Sequence, residues 1–403
     1  MKAKSTLLAA LVVVATIATP AAAALTTSST DATNTADAKA YAGTHVSYDV
    51  QGDAVVNYTV DGETMVDSVA VESESDYEER TDASGSVGLG TVVELDGLGL
   101  EMGASSKTEA TVRTEGAAEI VTHDNADGTF VVKSGDGGQY VHANVGADAD
   151  AEATADDRVV VETDDGNTST FIVVGDGNVT VNEEGNVTAN LGSDAQLVFR
   201  SSGEERSEDD KQVERMIANG TATAEVYVME EGGETVEDTV TYGEGTTVET
   251  SAEAEHTVNV TVERSKSQGK VVVTHVSEAA VGATDSLDVT VDGDAAAKAE
   301  SYSALRAAAN GGDEAKYRVV QDASAQAEGQ ATVLVAFDHF SERSASISGS
   351  ETTNDDGSDS DDGSDGDDGT DDGDAGSGMP GFGVTAALGA LVAASFVALR
   401  VRE

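Results

Sequence analysis

The chain contains no cysteine and no tryptophan, and its 403 residues include only two prolines. Without cysteine, disulfides, thiolate metal sites and cysteine nucleophiles are all excluded. A protein that has no disulfides must be held together by its hydrophobic core. Because the chain has only seven phenylalanines and nine tyrosines, that core must be built largely from valine, alanine, leucine and isoleucine.

Basic residues are also scarce, since 22 lysines and arginines face 76 aspartates and glutamates, for a formal charge of −54. This charge excludes nucleic acid as a partner, because phosphate binding requires lysine and arginine. It also opposes flat binding to an anionic membrane surface. At molar salt the Debye length is about 3 Å, which screens the repulsion. The acids are spread through strand-like segments, which favours a protein that works in brine over a disordered acidic chain.

The first 24 residues have the pattern of a secretory signal peptide. Two lysines precede an apolar stretch at 7–18, and four alanines follow Pro20. A basic start, a short apolar core and small residues predict export, with cleavage after Ala23 or Ala24. An uncleaved N-terminal anchor is the alternative.

The other end of the chain has the features of a membrane tether. Residues 350–378 are rich in Asp, Gly and Ser, which predicts a disordered acidic linker because such a segment cannot bury apolar surface. Residues 379–403 contain an apolar run of 17 residues, 383–399, which would span about 26 Å as a transmembrane helix. The arginines behind this run predict a cytoplasmic end, with the rest of the chain outside the cell.

The tripeptide Pro380-Gly381-Phe382 stands between the linker and the apolar run. Together with the linker, the apolar run and the basic tail, it resembles the PGF-CTERM sorting signal of haloarchaeal surface proteins. The resemblance covers about residues 351–403. It implies processing by an archaeosortase-type enzyme, with a prenyl-type lipid replacing the transmembrane helix. A plain C-terminal transmembrane anchor is the alternative, and both readings place the protein on the extracellular face of the membrane.

Between these ends the sequence is typical of strands and turns. Val258, Val260 and Val262 alternate with polar residues, and Asp-Gly pairs recur between such runs. Alternation predicts half-buried strands, and Asp-Gly favours tight hairpins because both positions tolerate positive φ. The expected fold is mainly β, as an antiparallel sandwich or meander with one or two short helices. A β-solenoid is the alternative.

Composition divides this part of the chain into two β domains, at 44–200 and 221–348. The segment 201–220 between them is charged and contains glycine, so it is expected to be a linker or an exposed helix. Within the second domain a helix is predicted at 295–309, because Asp294 can cap it and a glycine pair follows it.

Six Asn-x-Ser/Thr sequons are candidates for glycosylation in an exported protein. Each lies in or beside a turn or on the polar face of a strand, although a Thr-rich β surface also creates sequons by chance. The candidate asparagines are Asn57, Asn167, Asn178, Asn186, Asn219 and Asn259.

Signals for metal binding are weak in the sequence. The acidic turns 124–128 and 164–167 offer carboxylate oxygens, but neither has the ligand order of a helix–loop–helix calcium site. His275 shares the parity of Val271 and Val273, so it is expected to be a satisfied, half-buried residue. We therefore expect no specific metal site and no cofactor.

The sequence also lacks the motifs of common enzymes, since it has no Gly-x-Ser-x-Gly elbow, no zinc-protease histidine pair and no phosphate-binding loop. The expected function is non-enzymatic, as a membrane- or lipid-anchored envelope or adhesion protein of a halophilic archaeon. Its expected partners are the membrane, the processing enzyme and envelope components. The alternative is a surface protein that captures a solute, cation or glycan in a cleft between the β domains. A secreted hydrolase with scattered carboxylates is a third hypothesis.

Replacing Pro380, Gly381 and Phe382 together by alanine is expected to block C-terminal processing in cells that carry the archaeosortase-type enzyme. The reason is that the tripeptide is the part of the signal that such an enzyme would recognise. Intact-mass analysis of the membrane-extracted protein measures the mature C-terminus, and Ser377→Ala in the adjoining linker is the matched control. An unchanged mature C-terminus in the triple variant would show that the sorting-signal interpretation is wrong.

Overall fold

The computed structural model describes the central part of the chain, and all of it lies within one compact unit, residues 1–352. The segment 1–24, the acidic linker 350–378 and the C-terminal segment 379–403 lie outside the described residues. The described residues are 39–81, 89, 92, 100–104, 106–114, 118–203, 206–231, 233–243, 245–254, 256–265, 268–312, 314–320, 329–339 and 342–349.

The prediction of a mainly β fold with antiparallel sheets is confirmed. The described residues form 26 strands in four sheets, together with four helices. The sheets are arranged as two sandwiches that follow one another along the chain, because each has its own apolar core.

The first sandwich is built from a seven-stranded and an eight-stranded sheet. The seven-stranded sheet contains, in spatial order, β1 (Lys39–Ala42), β2 (Val46–Gln51), β3 (Ala54–Val60), β4 (Glu63–Ser73), β9 (Gln139–Asn144), β14 (Val187–Leu191) and β13 (Gly177–Val181). The eight-stranded sheet contains β10 (Asp150–Ala155), β11 (Arg158–Glu162), β12 (Thr168–Val174), β15 (Gln196–Gly203), β8 (Phe130–Lys133), β7 (Glu119–His123), β6 (Glu109–Thr114) and β5 (Leu100–Ala104). Their inner faces bury valines around the packed rings of Phe130, Phe171 and Phe199.

The second sandwich is built from a six-stranded and a five-stranded sheet. The six-stranded sheet contains β17 (Glu234–Thr241), β16 (Ala222–Glu231), β20 (Gln268–Ser277), β25 (Gln330–His339), β24 (Lys316–Val320) and β23 (Ala297–Lys298). The five-stranded sheet contains β18 (Thr246–Ala254), β19 (Thr257–Arg264), β26 (Glu342–Gly349), β21 (Leu287–Val291) and β22 (Asp294–Ala295). Two strand pairs, β16 with β20 and β23 with β24, are parallel.

The eight-stranded and six-stranded sheets are each buried on both faces. Their outer faces pack with α2 (Glu208–Ala218) and α4 (Tyr302–Ala309) into a third apolar core, which includes Val131 and Ile172. The next residue along β8, Val132, belongs to the core of the first sandwich, as alternation along a strand requires. The segment 201–220 therefore lies beside an apolar core that both sandwiches share, and α2 buries one face in it.

The helix predicted at 295–309 is wrong in its first half. Helix α4 begins only after Ser301, whose hydroxyl accepts a backbone hydrogen bond as the N-cap. Asp292 and Gly293 have φ values of 52° and 87°, so they form a tight turn that returns the chain as β22. Asp294 is therefore part of a strand, because the Asp-Gly turn before it fixes the local conformation.

Two further short helices, α1 (Glu74–Thr81) and α3 (Glu278–Val281), follow β4 and β20 directly. Within the described part of the chain, no helix has both the length and the apolar character needed to cross a bilayer. The run 383–399 that we predict to be transmembrane lies outside that part.

Candidate functional site

A cleft of about 420 Å³ opens where the two sandwiches meet. One wall comes from the loop before β8, from β15 and from α2, and the other comes from β16, β20, β25 and the start of α3. The charged side chains along it are Asp127, Asp209, Asp210, Glu230, Glu278 and Arg200. Five carboxylates thus face one guanidinium, and the field in the cleft favours positively charged molecules.

The parallel pairing of β16 with β20 brings two rings together at the cleft. Tyr227 lies opposite His275 in the register of these strands, and β25 places Thr332 on the other side of His275. The rings of Tyr227 and His275 stack with 4.4 Å between their centroids. Thr332 Oγ1 lies 3.1 Å from His275 Nδ1, and this contact orients the imidazole ring. The other ring nitrogen, Nε2, therefore faces Glu225 on β16.

Arg200 on β15 crosses from the first sandwich to the second. Its Nη2 donates to Asp127 Oδ2 and lies 3.2 Å from Glu225 Oε1. Burial is the largest influence on the pKa of Glu225 and alone would raise it. The charge of Arg200, together with the contacts to His275 and Tyr242, outweighs burial and lowers that pKa to about 2. Burial would likewise lower the pKa of Arg200, and the charges of Glu225 and Asp127 raise it instead. Both groups are therefore ionised although both are buried.

Two buried tyrosines complete the network around the carboxylates. Tyr227 donates to Asp127 Oδ2 at 2.8 Å, and Tyr242 donates to Glu225 Oε2 at 2.5 Å. Burial raises the pKa of both phenols, and the neighbouring carboxylate charges raise it further. The hydroxyls therefore remain protonated and act as hydrogen-bond donors. Asp127 Oδ2 and Glu225 Oε2 accept these hydrogen bonds.

Three ligand atoms converge beside this network, one each from Asp127, Glu225 and His275, and all lie within 4.8 Å of one another. Glu225 Oε1 and His275 Nε2 lie 3.7 Å apart. Neither of these buried atoms makes a hydrogen bond to any described residue. Burial lowers the pKa of His275, but the carboxylates of Glu225 and Asp127 more than offset this and raise it. The arrangement can hold positive charge, either as a proton on the imidazole or as a bound cation.

The acidic turn 124–128 is mostly occupied by protein contacts. Asp124 accepts hydrogen bonds from the backbone N–H groups of Thr44, His45 and Val46 at 2.7, 2.8 and 2.7 Å. This carboxylate is therefore part of the fold, where it holds the turn between β1 and β2. Of the turn's acids, Asp127 alone reaches the cleft.

The other acidic turn, 164–167, is tied to a neighbouring strand. The amide of Asn167 donates to Glu63, and Asp164 and Asp165 are exposed. No metal-ligand cluster that includes this turn is found among the described residues.

The six sequon asparagines differ in exposure. Three are exposed, namely Asn57, Asn178 and Asn219, and two are half-buried, namely Asn167 and Asn259. Asn186 is buried. The exposed three are the positions where an attached glycan would project freely from the folded unit.

Sequence reasoning missed Arg200 and Glu225 as site residues. Glu225 lies in the run from Ala222 to Val228 with the same parity as Tyr227, and Arg200 follows three apolar residues of a buried strand. A single charge at an apolar position of a buried strand is the signal that could have identified both residues, because such charges are found only with partners.

Comparison with known proteins leaves the family of this chain open. No family model and no curated protein matches it. One solved structure with a partial match is described as an active YidC insertase crystal structure with the first transmembrane domain resolved. The match has a TM-score of 0.27 and 11% identity, and it covers 46% of this chain and 42% of that one.

Removing single members of the charged network should destabilise the protein in a graded way. Glu225→Gln is expected to lower the free energy of unfolding by about 3–5 kcal/mol, because it leaves a buried guanidinium with one partner fewer. Tyr242→Phe removes a donor to a charged oxygen and should cost about 1.5–3 kcal/mol. Denaturant unfolding in molar KCl measures both.

Tyr48→Phe is the matched control, since this buried hydroxyl contacts the neutral Thr122 at 3.1 Å. Its loss should cost about 0.5–1.5 kcal/mol. Equal losses for Tyr242→Phe and Tyr48→Phe would contradict a special role for the charge on Glu225.

Proposed function

We propose that this chain is a non-enzymatic surface protein, tethered to the membrane through its C-terminal segment, whose β unit binds a small cationic ligand in the cleft between the sandwiches. The observation that carries the proposal is the cleft itself, where five carboxylates and one guanidinium line about 420 Å³. Small-molecule sites are concave and contain a few convergent polar groups, and the excess of negative charge selects for a cation.

The charged network supports a binding role over hydrolysis. Two carboxylates as close as Asp127 and Glu225 are near the separation of about 5 Å found in retaining glycosidases. However, the acid in such a pair needs a raised pKa, and the charge of Arg200 together with the contacts to His275 and Tyr242 overcomes burial and lowers the pKa of Glu225. Glu225 is therefore unsuited to donate a proton at neutral pH.

The tether rests on the sequence of the two ends. The signal pattern at 1–24 and the basic residues behind the run 383–399 agree in placing the β unit outside the cell. The tripeptide Pro380-Gly381-Phe382 resembles a sorting signal, which makes an archaeosortase-type enzyme the proposed processing partner. A halophilic archaeal surface accounts for the charge of −54, since molar salt screens it.

A structural role in the envelope or in adhesion is the second candidate. It is favoured by the three exposed sequon asparagines, Asn57, Asn178 and Asn219, which would cover part of the surface with glycan if modified. The two candidates differ in what they predict for the cleft, because an envelope protein does not need to bind anything there.

A ligand in the cleft should raise the melting temperature, because binding to the folded state alone adds about 2.7 kcal/mol at a hundredfold excess over Kd. The full chain in molar KCl is titrated with three probes: Zn²⁺, Ca²⁺ and putrescine, an organic dication. We expect at least one probe to raise the melting temperature in the wild type and to lose most of this effect in Asp127→Asn.

Asp164→Asn is the matched control, since Asp164 is exposed and does not line the cleft. It should respond as the wild type does. If none of the three probes shifts the melting temperature, or if the shift is the same in Asp127→Asn, the cleft is not a cation site and the envelope role is favoured.

A further inference from the structure

We propose that Asp127, Glu225 and His275 form a binding site for one divalent transition-metal ion, which links the first sandwich to the second. This inference rests on the proposed cation-binding function of the cleft and names the ligand class. Asp127 comes from the loop before β8, whereas Glu225 and His275 come from the neighbouring strands β16 and β20. A bound ion would therefore bridge the two halves of the unit.

The donor atoms are close enough to share an ion after a small movement. They lie within 4.8 Å of one another, whereas two nitrogen or oxygen ligands on one tetrahedral zinc ion are about 3.4 Å apart, given bonds of about 2.0–2.2 Å. Side-chain shifts of less than about 1 Å would suffice, and such shifts are compatible with the half-buried positions of Asp127 and His275.

Two of the donors are buried atoms that have ion-pair partners but make no hydrogen bond to a described residue. Glu225 is fully buried, and its Oε1 lies at ion-pair distance from Arg200 without a hydrogen bond. His275 Nε2 is likewise without a hydrogen bond. Buried polar atoms without a hydrogen bond are rare in folded proteins, and these two lie 3.7 Å apart beside the cleft that His275 lines.

The surrounding groups hold these donors as a metal site requires. Ligating histidines use their second ring nitrogen in a hydrogen bond that orients the ring, and Thr332 Oγ1 makes that contact with His275 Nδ1 at 3.1 Å. Ligating carboxylates are themselves hydrogen-bonded, and here Tyr227 holds Asp127 Oδ2 while Tyr242 holds Glu225 Oε2. Glu225 Oε1 and His275 Nε2 then face each other, and Oε1 also pairs with Arg200.

The donor set favours a transition metal over calcium or magnesium. Imidazole nitrogen with two carboxylates suits zinc and its first-row neighbours, whereas calcium takes six to eight oxygens and magnesium keeps an octahedral oxygen shell. Three protein ligands leave the remaining positions to water or to a small ligand from the cleft.

The positive charge of Arg200 reduces the negative charge that is available to bind a cation. It offsets one of the two charges of Asp127 and Glu225, so the pair still carries one negative charge when His275 is neutral. The four further cleft acids, Asp209, Asp210, Glu230 and Glu278, leave the whole cleft negative even with Arg200 present. A divalent ion is therefore electrostatically acceptable beside the guanidinium.

The test uses Zn²⁺ and the full chain in molar KCl. Equilibrium dialysis with elemental analysis should give one tightly bound zinc per chain. The X-ray absorption spectrum of the bound zinc should show the outer-shell scattering of one imidazole together with oxygen ligands. This spectrum is recorded on the wild type, so it remains decisive even if a variant does not fold.

Variants then assign the imidazole to its residue. His275→Gln should weaken zinc binding by more than about 100-fold, and Thr332→Val by about 10–100-fold, the usual cost of losing an orienting partner. His45→Gln is the matched control, because His45 lines the same cleft but is not part of the cluster. It should keep both the affinity and the imidazole signal.

A zinc spectrum with oxygen ligands only, or an imidazole signal that survives in His275→Gln, overturns the metal site. If Ca²⁺ or putrescine nevertheless raises the melting temperature through Asp127, the cation-binding cleft stands and only the transition-metal inference fails. If no probe acts through Asp127, both fail.

Discussion

The junction of the two sandwiches depends on one buried guanidinium. Asp127 and Glu225 approach each other from different halves of the unit, and Arg200 lies between them. Taking each carboxylate out of water costs several kcal/mol, and an opposite charge with hydrogen bonds is required to offset that cost. Arg200 provides the charge, and the hydroxyls of Tyr227 and Tyr242 provide the hydrogen bonds. The charged cluster borders the apolar core that both sandwiches share, so the cleft has a strongly polar end.

Much of the fold could be predicted from the sequence because its signals are local. Alternation such as Val258, Val260 and Val262 identifies strands with one wet face, and Asp-Gly pairs identify hairpins. Continuous apolar runs such as 130–132 form strands of a sheet that is buried on both faces. The start of the helix at 295–309 was missed because an Asp-Gly turn overrides the cap signal.

The candidate site could not be predicted in the same way, because no local pattern brings its members together. Asp127 and Arg200 come from the first sandwich, and Glu225 and His275 come from strands that pair in parallel, an arrangement that alternation does not reveal. His275 lies on the same face as Val271 and Val273, as its parity predicts, because its ring stacks on Tyr227 of the core that contains both valines. That face proves to be the shared junction and not the core of the second sandwich.

Anomalous diffraction from crystals grown with Zn²⁺ shows whether the charged junction is a cation site. Data collected on both sides of the zinc absorption edge locate the ion without assumptions about its ligands. We expect one dominant peak at about 2.0–2.2 Å from oxygens of Asp127 and Glu225 and from His275 Nε2, with Arg200 still bound to Asp127. Peaks confined to exposed carboxylates, with the junction closed by Arg200 alone, would contradict it.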